Sequence, residues 1–254
     1  MTGWSTEQVL AHPDWSIGPA DRRAFQALVA RRAADEPVAY LLGQREFYGR
    51  TFRVDRRALI PRPETELLVD LGLAAIARLR VAGIAAPRVV DVGTGCGAVA
   101  VSVALDADVP VVGTDVSLAA LTLAQENAGA LSACARFVAA DLLTGLSGPF
   151  HVVLANLPYV PHARDLPRDV RDYEPHVALF GGQRGTELIE RLLHEAPPVL
   201  APGGELCVEL DEEEQAAPVA SLARSLYPNA DVTVCRDNGG YDRVVRVLTA
   251  PSLA

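Results

Sequence analysis

The sequence predicts an α/β protein: a doubly wound, mostly parallel seven-stranded sheet with a C-terminal antiparallel strand, preceded by a small helical N-terminal domain and a β-hairpin linker. Three observations predict it. Beyond Pro87, short apolar runs alternate with helix-patterned segments, the signature of βαβ units. Between the first of these strands and its helix lies a glycine-rich turn, Gly93-Thr94-Gly95-Cys96-Gly97. The last two apolar runs are joined by a connection around Asp237-Asn238-Gly239-Gly240, too short for a helical crossover, so they pair antiparallel.

The elements follow in order. Ser5 is a cap for a short helix over Thr6 to Leu10, and Pro19-Ala20-Asp21 opens a second helix that carries Phe25, Leu28 and Val29 on one face. Trp4 and Trp15 are expected in the core of this opening piece. Phe47-Tyr48 and Phe52-Arg53-Val54 flank Gly49-Arg50-Thr51 as a hairpin with glycine in its turn. Proline and acids in Pro61 to Glu66 then start a helix that runs to about Arg80. Strands are expected at Arg88 to Val92, Val111 to Thr114, Arg136 to Val138, His151 to Ala155, Glu205 to Leu210, Val232 to Val234 and Arg243 to Val247. Helices are expected from Ala98 to Val103, Leu118 to Ala128 and Thr186 to Ala196.

The chain of 254 residues, half of them hydrophobic, holds one sizeable α/β domain plus an appendage. It has no lysine: all 23 basic residues are arginine, and 32 acids leave a net charge of -9. Such a chain has no global attraction for phosphate backbones, which disfavours nucleic-acid partners. Cys96, Cys134, Cys207 and Cys235 are far apart and no histidine stands at metal spacing, so neither a zinc site nor a disulfide framework is signalled. A reducing cytoplasm is the expected setting. Neither a signal segment in Met1 to Ser5 nor an apolar stretch of membrane-spanning length is present, so a soluble protein without membrane contact is expected, and a monomer.

The chemistry centres on Asn156-Leu157-Pro158-Tyr159, directly behind the fourth strand. Asn156 offers one acceptor and two donors, Pro158 holds Leu157 extended with its carbonyl exposed, and Tyr159 supplies a stacking face: a device for a flat, nitrogen-bearing group. The alternating glycines at Gly93, Gly95 and Gly97 let backbone approach a ligand, in a spacing that is neither the dinucleotide fingerprint nor a phosphate loop. Asp115, at the end of the second strand, is placed to accept ribose hydroxyls. Asp141, after the third, can accept from an adenine amine while Leu142 covers the ring. All four positions fall at strand carboxyl ends and describe one crevice for a nucleoside and a planar nitrogen, either an amide or an adenine amine.

These residues, with Pro37 to Gly43, Glu46 to Gly49, Leu59 to Glu66, Tyr173-Glu174-Pro175, Ala178 to Gly182, and Asp237 with Arg243-Val244-Val245, make the chain resemble class I S-adenosylmethionine-dependent methyltransferases. More narrowly, it resembles the protein N5-glutamine methyltransferases that modify peptide chain release factors. Pro61-Arg62-Pro63-Glu64-Thr65-Glu66 is the most specific segment. The resemblance implies methyl transfer from S-adenosylmethionine, leaving S-adenosylhomocysteine and using no metal, to the glutamine of a Gly-Gly-Gln motif. It implies cofactor contacts from Gly93, Thr94, Gly95, Cys96, Gly97, Asp115, Asp141, Leu142, Asn156, Pro61 and Thr65, and a glutamine held by Asn156, Leu157, Pro158 and Tyr159. It divides the chain into a substrate-recognition domain at 1–44, the linker at 45–60 and the methyltransferase domain at 61–254. Two features depart from the family: leucine at 157 where proline is usual, and a shorter helical start.

Three rival readings stand beside this one: an adenine N6 methyltransferase acting on RNA or DNA, a glutamine methyltransferase acting on a ribosomal protein, and a cofactor-binding module without turnover. The resemblance favours an ion pair between Arg62 and Glu64 at the cofactor pocket. His12, His151, His162, His176 and His194 are read as structural or exposed, and Asp211 to Glu214 as a solvated helix start.

Overall fold

The computed structural model describes residues 3–4, 6–211 and 213–251, so the Ser5 cap and Glu212 lie outside the described residues. The opening piece contains α1 (Thr6–Ala11), α2 (Pro19–Ala33) and α3 (Val38–Leu42). β1 (Gln44–Phe47) and β2 (Arg50–Arg53) form the hairpin, and a single 3-10 turn at Pro63–Thr65 leads into α4 (Glu66–Val81). The alternating region runs β3 (Val89–Val92), α5 (Ala98–Ala107), β4 (Val111–Asp115), α6 (Leu118–Leu131), β5 (Ala135–Ala139) and β6 (Phe150–Ala155). After it come β7 (Val160–Pro161), α7 (Arg168–Arg171), β8 (Phe180–Gly182), α8 (Glu187–Glu195) and β9 (Leu200–Glu209). The chain closes with α9 (Glu213–Leu226), β10 (Asp231–Arg236) and β11 (Asp242–Leu248).

Seven strands form the main sheet in the order β10-β11-β9-β6-β3-β4-β5. β3, β4, β5, β6 and β9 pair in parallel, and β11 runs antiparallel to both of its neighbours. The direction of winding reverses between β3 and β6, the switch point at which an open sheet leaves a crevice above its carboxyl ends. Strand side chains alternate between the two faces: β6 sends Val152 and Leu154 into a core shared with α4, α5 and α6, and Val153 and Ala155 into one shared with α8 and α9. α4 sits close on β6, because a Cβ on Gly72 would come within 2.9 Å of Leu154 Cδ1.

The hairpin turn is Tyr48-Gly49, with positive φ at both residues (51° and 69°), the geometry whose twist matches that of the flanking strands. Phe47 and Phe52 are buried beneath it, edge to face with centroids 6.1 Å apart. Asn127 of α6 clips the hairpin to the main domain. Its Oδ1 accepts from Arg53 N at 2.8 Å, and its Nδ2 donates to Arg53 O at 3.1 Å and Cys96 O at 2.9 Å.

The opening piece corrects one expectation. Trp4 and Trp15 are 37% and 40% exposed and lie against each other with centroids 4.7 Å apart, rather than forming a core. α2 has no buried residue, and Phe25 and Val29 on its apolar face are solvent-exposed. Two short helices without an opposing layer have nothing to enclose an aromatic ring. The piece is attached through its end: Tyr173 Oη donates to Ala34 O at 2.7 Å, and Arg168 pairs with Asp35 at 3.2 Å.

Asn127→Ala removes the partner of three backbone groups at once, so a loss of about 2–3 kcal/mol in folding stability is expected, measured by urea denaturation. An unchanged midpoint would show that the hairpin is held by its phenylalanines alone.

Candidate active site

The glycine loop between β3 and α5 is held in a conformation that side chains resist: φ is 73°, 55° and 83° at Gly93, Gly95 and Gly97. A Cβ on Gly97 would lie 3.1 Å from that of Ala124, and one on Gly93 would lie 3.0 Å from Leu157 Cδ2. Asp91, buried at the end of β3, ties the loop from below. Its Oδ2 accepts from Thr94 Oγ1 at 2.6 Å and from Ala100 N at 3.1 Å. Burial lifts its carboxyl to about 6. Cys96 is likewise buried, its thiol pushed up to about 12 by desolvation, so it is a loop residue and not a nucleophile.

Asp115 closes β4 beside this loop. Oδ2 accepts from Gly95 N at 2.9 Å and Oδ1 from Ser117 N at 2.8 Å, while Ser117 itself caps α6 through Ala120 N. Burial raises its carboxyl above the usual range. After β5, Leu142 is buried with φ 52°, and its carbonyl accepts from Thr114 Oγ1 at 3.1 Å. The exposed Asp141 carboxylate pairs with Arg191 at 2.9 Å.

The turn at 156–159 follows β6, pinned at its far end where Val160 N donates to Leu179 O and Gln215 Nε2 donates to Tyr159 O. Gly181 and Gly185 press on it so closely that a Cβ at either would meet the Pro158 or Tyr159 carbonyl oxygen at 2.1 Å. Asn156 Nδ2 donates to Thr65 Oγ1 at 2.9 Å, and Thr65 Oγ1 donates to Glu209 Oε1 at 3.1 Å. Leu157 is buried, its side chain packed in the core and over Gly93. Tyr159 is pushed well above the ordinary phenol range by burial and by Glu209 and Asp211, so its hydroxyl stays protonated.

Pro61 to Glu66 crosses the rim from the linker side. Arg62 pairs with the buried Glu174 at 2.6 Å, and Glu174 also accepts from Ile60 N at 3.1 Å. The expected pairing of Arg62 with Glu64 is therefore corrected: Glu64 points to solvent from the 3-10 turn, whereas Glu174 arrives buried from the segment before β8. The sequence marked Glu174 only as part of the Tyr173-Glu174-Pro175 segment, with no role in the site, and Glu209 not at all, since no local pattern shows which of 32 acids is buried.

One cavity is lined by Pro61, Thr65, the glycine loop from Gly93 to Cys96, Asp115, Asp141, Leu142, Asn156, Leu157 and Pro158. It collects every expected site residue except Gly97 and Tyr159. Gly97 stands at the start of α5 with its space filled by Ala124 and Phe137. Tyr159 lines a second cavity with Arg164, Leu166 and Asp211, and the two cavities share Leu59, Arg62, Asn156, Leu157 and Ala178. A larger and a smaller compartment thus meet at Asn156. Among the described residues no group of acids, histidines and cysteines could hold a metal, and no helix is long and apolar enough to cross a membrane.

A doubly wound sheet with this rim defines a class I S-adenosylmethionine-dependent methyltransferase. Residues 1–43 match the family model of the PrmC N-terminal domain, and residues 68–168 that of the methyltransferase small domain. The release factor glutamine methyltransferase of Deinococcus radiodurans is 41% identical over 240 residues, covering 92% of this chain and 82% of that protein. That of Bordetella pertussis is 39% identical, covering 96% and 89%. The chain belongs to the release factor glutamine methyltransferase family. In fold it is also similar to the hMettl16 catalytic domain solved with an RNA hairpin, at TM-score 0.59 and 18% identity over 79% of this chain and 77% of that one.

Glu209 carries a pH prediction. It is buried at 1% exposure, with its carboxyl lifted from about 4.5 to about 8, chiefly by desolvation. Between those values the folded state keeps a proton that the unfolded chain gives up, so rising pH favours unfolding. Asp91 acts the same way between about 3.8 and about 6. Thermal unfolding from pH 5 to 8 is expected to show a downward slope in stability that Glu209→Gln flattens; identical slopes in both proteins would place the Glu209 carboxyl in the ordinary range.

Proposed function

We propose that this chain methylates the side-chain amide nitrogen of a glutamine in the Gly-Gly-Gln motif of a peptide chain release factor. In this reading residues 1–44 recognise the protein substrate, 45–60 link, and 61–254 perform the transfer. The exposed apolar residues Phe25 and Val29 of α2 support a recognition role for the opening piece. The observation that carries the reading is the orientation of Asn156: its nitrogen is engaged by Thr65, which leaves Oδ1 as the acceptor offered where the two cavities meet.

Cofactor contacts are assigned to Gly93 through Cys96, Asp115, Asp141 and Leu142, with Pro61 and Thr65 closing the wall near the turn. Of the three positive-φ glycines, Gly95 leaves open space where a Cβ would stand, while Gly93 and Gly97 let the loop pack on Leu157 and Ala124, and Asp115 offers a carboxylate at ribose depth. The bound cofactor supplies a methyl carbon made electrophilic by its sulfonium. The protein's part is placement, which in favourable cases lowers a barrier by roughly 7 to 11 kcal/mol. Asn156 Oδ1 and the Leu157 carbonyl each accept one amide N-H, holding the nitrogen in line with the methyl group, and Tyr159 packs against the amide plane. Bound there, S-adenosylmethionine would supply the methyl group and keep the bonding electron pair on its sulfur, and the amide nitrogen would lose its proton to water. A protonated Tyr159 fits stacking and is unsuited to act as a base. Leucine at 157 keeps the carbonyl the mechanism uses, because the following Pro158 restricts its backbone whatever its side chain.

Asn156→Ala is expected to lower turnover on the order of 100-fold or more while the protein stays folded, read by methyl transfer to release factor and by circular dichroism. Tyr159→Phe should be mild. Incubation with labelled S-adenosylmethionine, release factor and ribosomal RNA in parallel, followed by mass mapping of the methylated atom, is expected to place the label on the glutamine; label on RNA alone would overturn the assignment.

A further inference from the structure

We propose that Thr65 and Glu209 are positioning residues that set which end of the Asn156 amide faces the substrate. The inference deepens the reading of Asn156 as the acceptor for a substrate N-H, and rests on it. An asparagine amide is nearly the same shape in its two flipped orientations, yet they are chemical opposites, one presenting an acceptor and the other two donors. An amide nitrogen about to be methylated brings N-H groups, so an Asn156 turned the wrong way would oppose donor to donor and set partial positive charge beside a sulfonium methyl.

The orientation follows from the direction of two hydrogen bonds. Glu209 Oε1 accepts at 3.1 Å from Thr65 Oγ1. A threonine hydroxyl has one proton; once it is given to Glu209, only lone pairs are left for Asn156, so only the Nδ2 end can approach, at 2.9 Å. The chain therefore runs Asn156 to Thr65 to Glu209, each donating to the next. Reversing it would need Glu209 to donate.

The surroundings leave Glu209 in this role. It is 1% exposed at the end of β9, beside the end of β6, and does not line either cavity, whereas Thr65 and Asn156 do. Its Oε2 is buried without a hydrogen-bond partner among the described residues, an uncompensated cost in a structure whose other site acids are well bonded. The nearby cation Arg243 is engaged elsewhere, with Asp237 at 3.1 Å and with the Leu210 and Asp211 carbonyls. Glu209 thus contributes little to holding the sheet through its side chain, and its one bond is to Thr65. Burial favours its neutral form; with the proton on Oε2, the oxygen that has no partner, Oε1 is the acceptor, and only a proton on Oε1 would reverse the chain.

The test measures methyl transfer in the full-length protein with Thr65→Val, Thr65→Ser, Glu209→Met and the Thr65→Val/Glu209→Met double variant, beside Asn156→Ala. Thr65→Val and Glu209→Met are each expected to lower kcat about tenfold or more, and Glu209→Met, whose side chain lines neither cavity, to leave S-adenosylmethionine affinity by calorimetry unchanged. Thr65→Ser, which keeps the hydroxyl, recovers most of the loss. Because both residues act through one amide, the double variant is expected to be no slower than the worse single variant. A dead Asn156→Ala with wild-type kcat in Thr65→Val overturns the relay alone. Multiplying losses in the double variant, or losses that Thr65→Ser does not recover, overturn it as well. If Glu209→Met fails to fold, the Thr65→Val and Thr65→Ser pair still decides. Wild-type turnover in Asn156→Ala instead overturns the assignment of Asn156 on which the relay rests.

Discussion

The parallel pairing of β6 between β3 and β9 is the constraint from which the site follows. Ala155 stands opposite Val92 on one side and Val208 on the other, so Asn156 emerges level with both Gly93 and Glu209. A slip of one residue in this register would turn Leu154 toward the other core and carry Asn156 away from the glycine loop. The alternation of Val152, Val153, Leu154 and Ala155 between two apolar cores forbids the slip, so packing energy sets the geometry of the chemistry.

Around that fixed point, three buried acids tie down two stretches of chain, the glycine loop and the segment from Ile60 to Thr65. Asp91 binds the glycine loop, Glu174 binds the segment carrying Ile60 and Arg62, and Glu209 reaches Thr65. Each comes from a different part of the chain and each is nearly inaccessible to water. Burial makes such groups costly unless bonded, and the same low dielectric strengthens the bonds they make. Asp91 and Glu209 are lifted toward neutrality by burial.

The fold by itself does not select the acceptor, since a catalytic domain solved with an RNA hairpin shares it. In this chain the segment from Pro61 to Glu66 brings Thr65 to Asn156 and Arg62 to Glu174 at the rim. Leu157 fits the same logic: its side chain is buried over Gly93, so core packing holds the turn on its course.

Much of this was legible in the chain. The period-two and helical patterns marked all seven main strands, and the glycine loop, Asp115, Leu142 and Asn156 were each visible as residue types with a chemical use at a strand end. Local properties determined these: hydrophobic periodicity, the φ tolerance of glycine, the valence of an amide. The short β7 and β8 carry too little pattern to be seen, and the tryptophans of the opening piece were misplaced because apolar character does not say whether a covering layer exists. Only the tertiary structure decided which acids are buried, that Arg62 turns to Glu174 and not to Glu64, and that Thr65 stands between Asn156 and Glu209. Those contacts join residues more than 90 positions apart, and they exist because sheet register brings distant strand ends to one rim, a relation that no local pattern records.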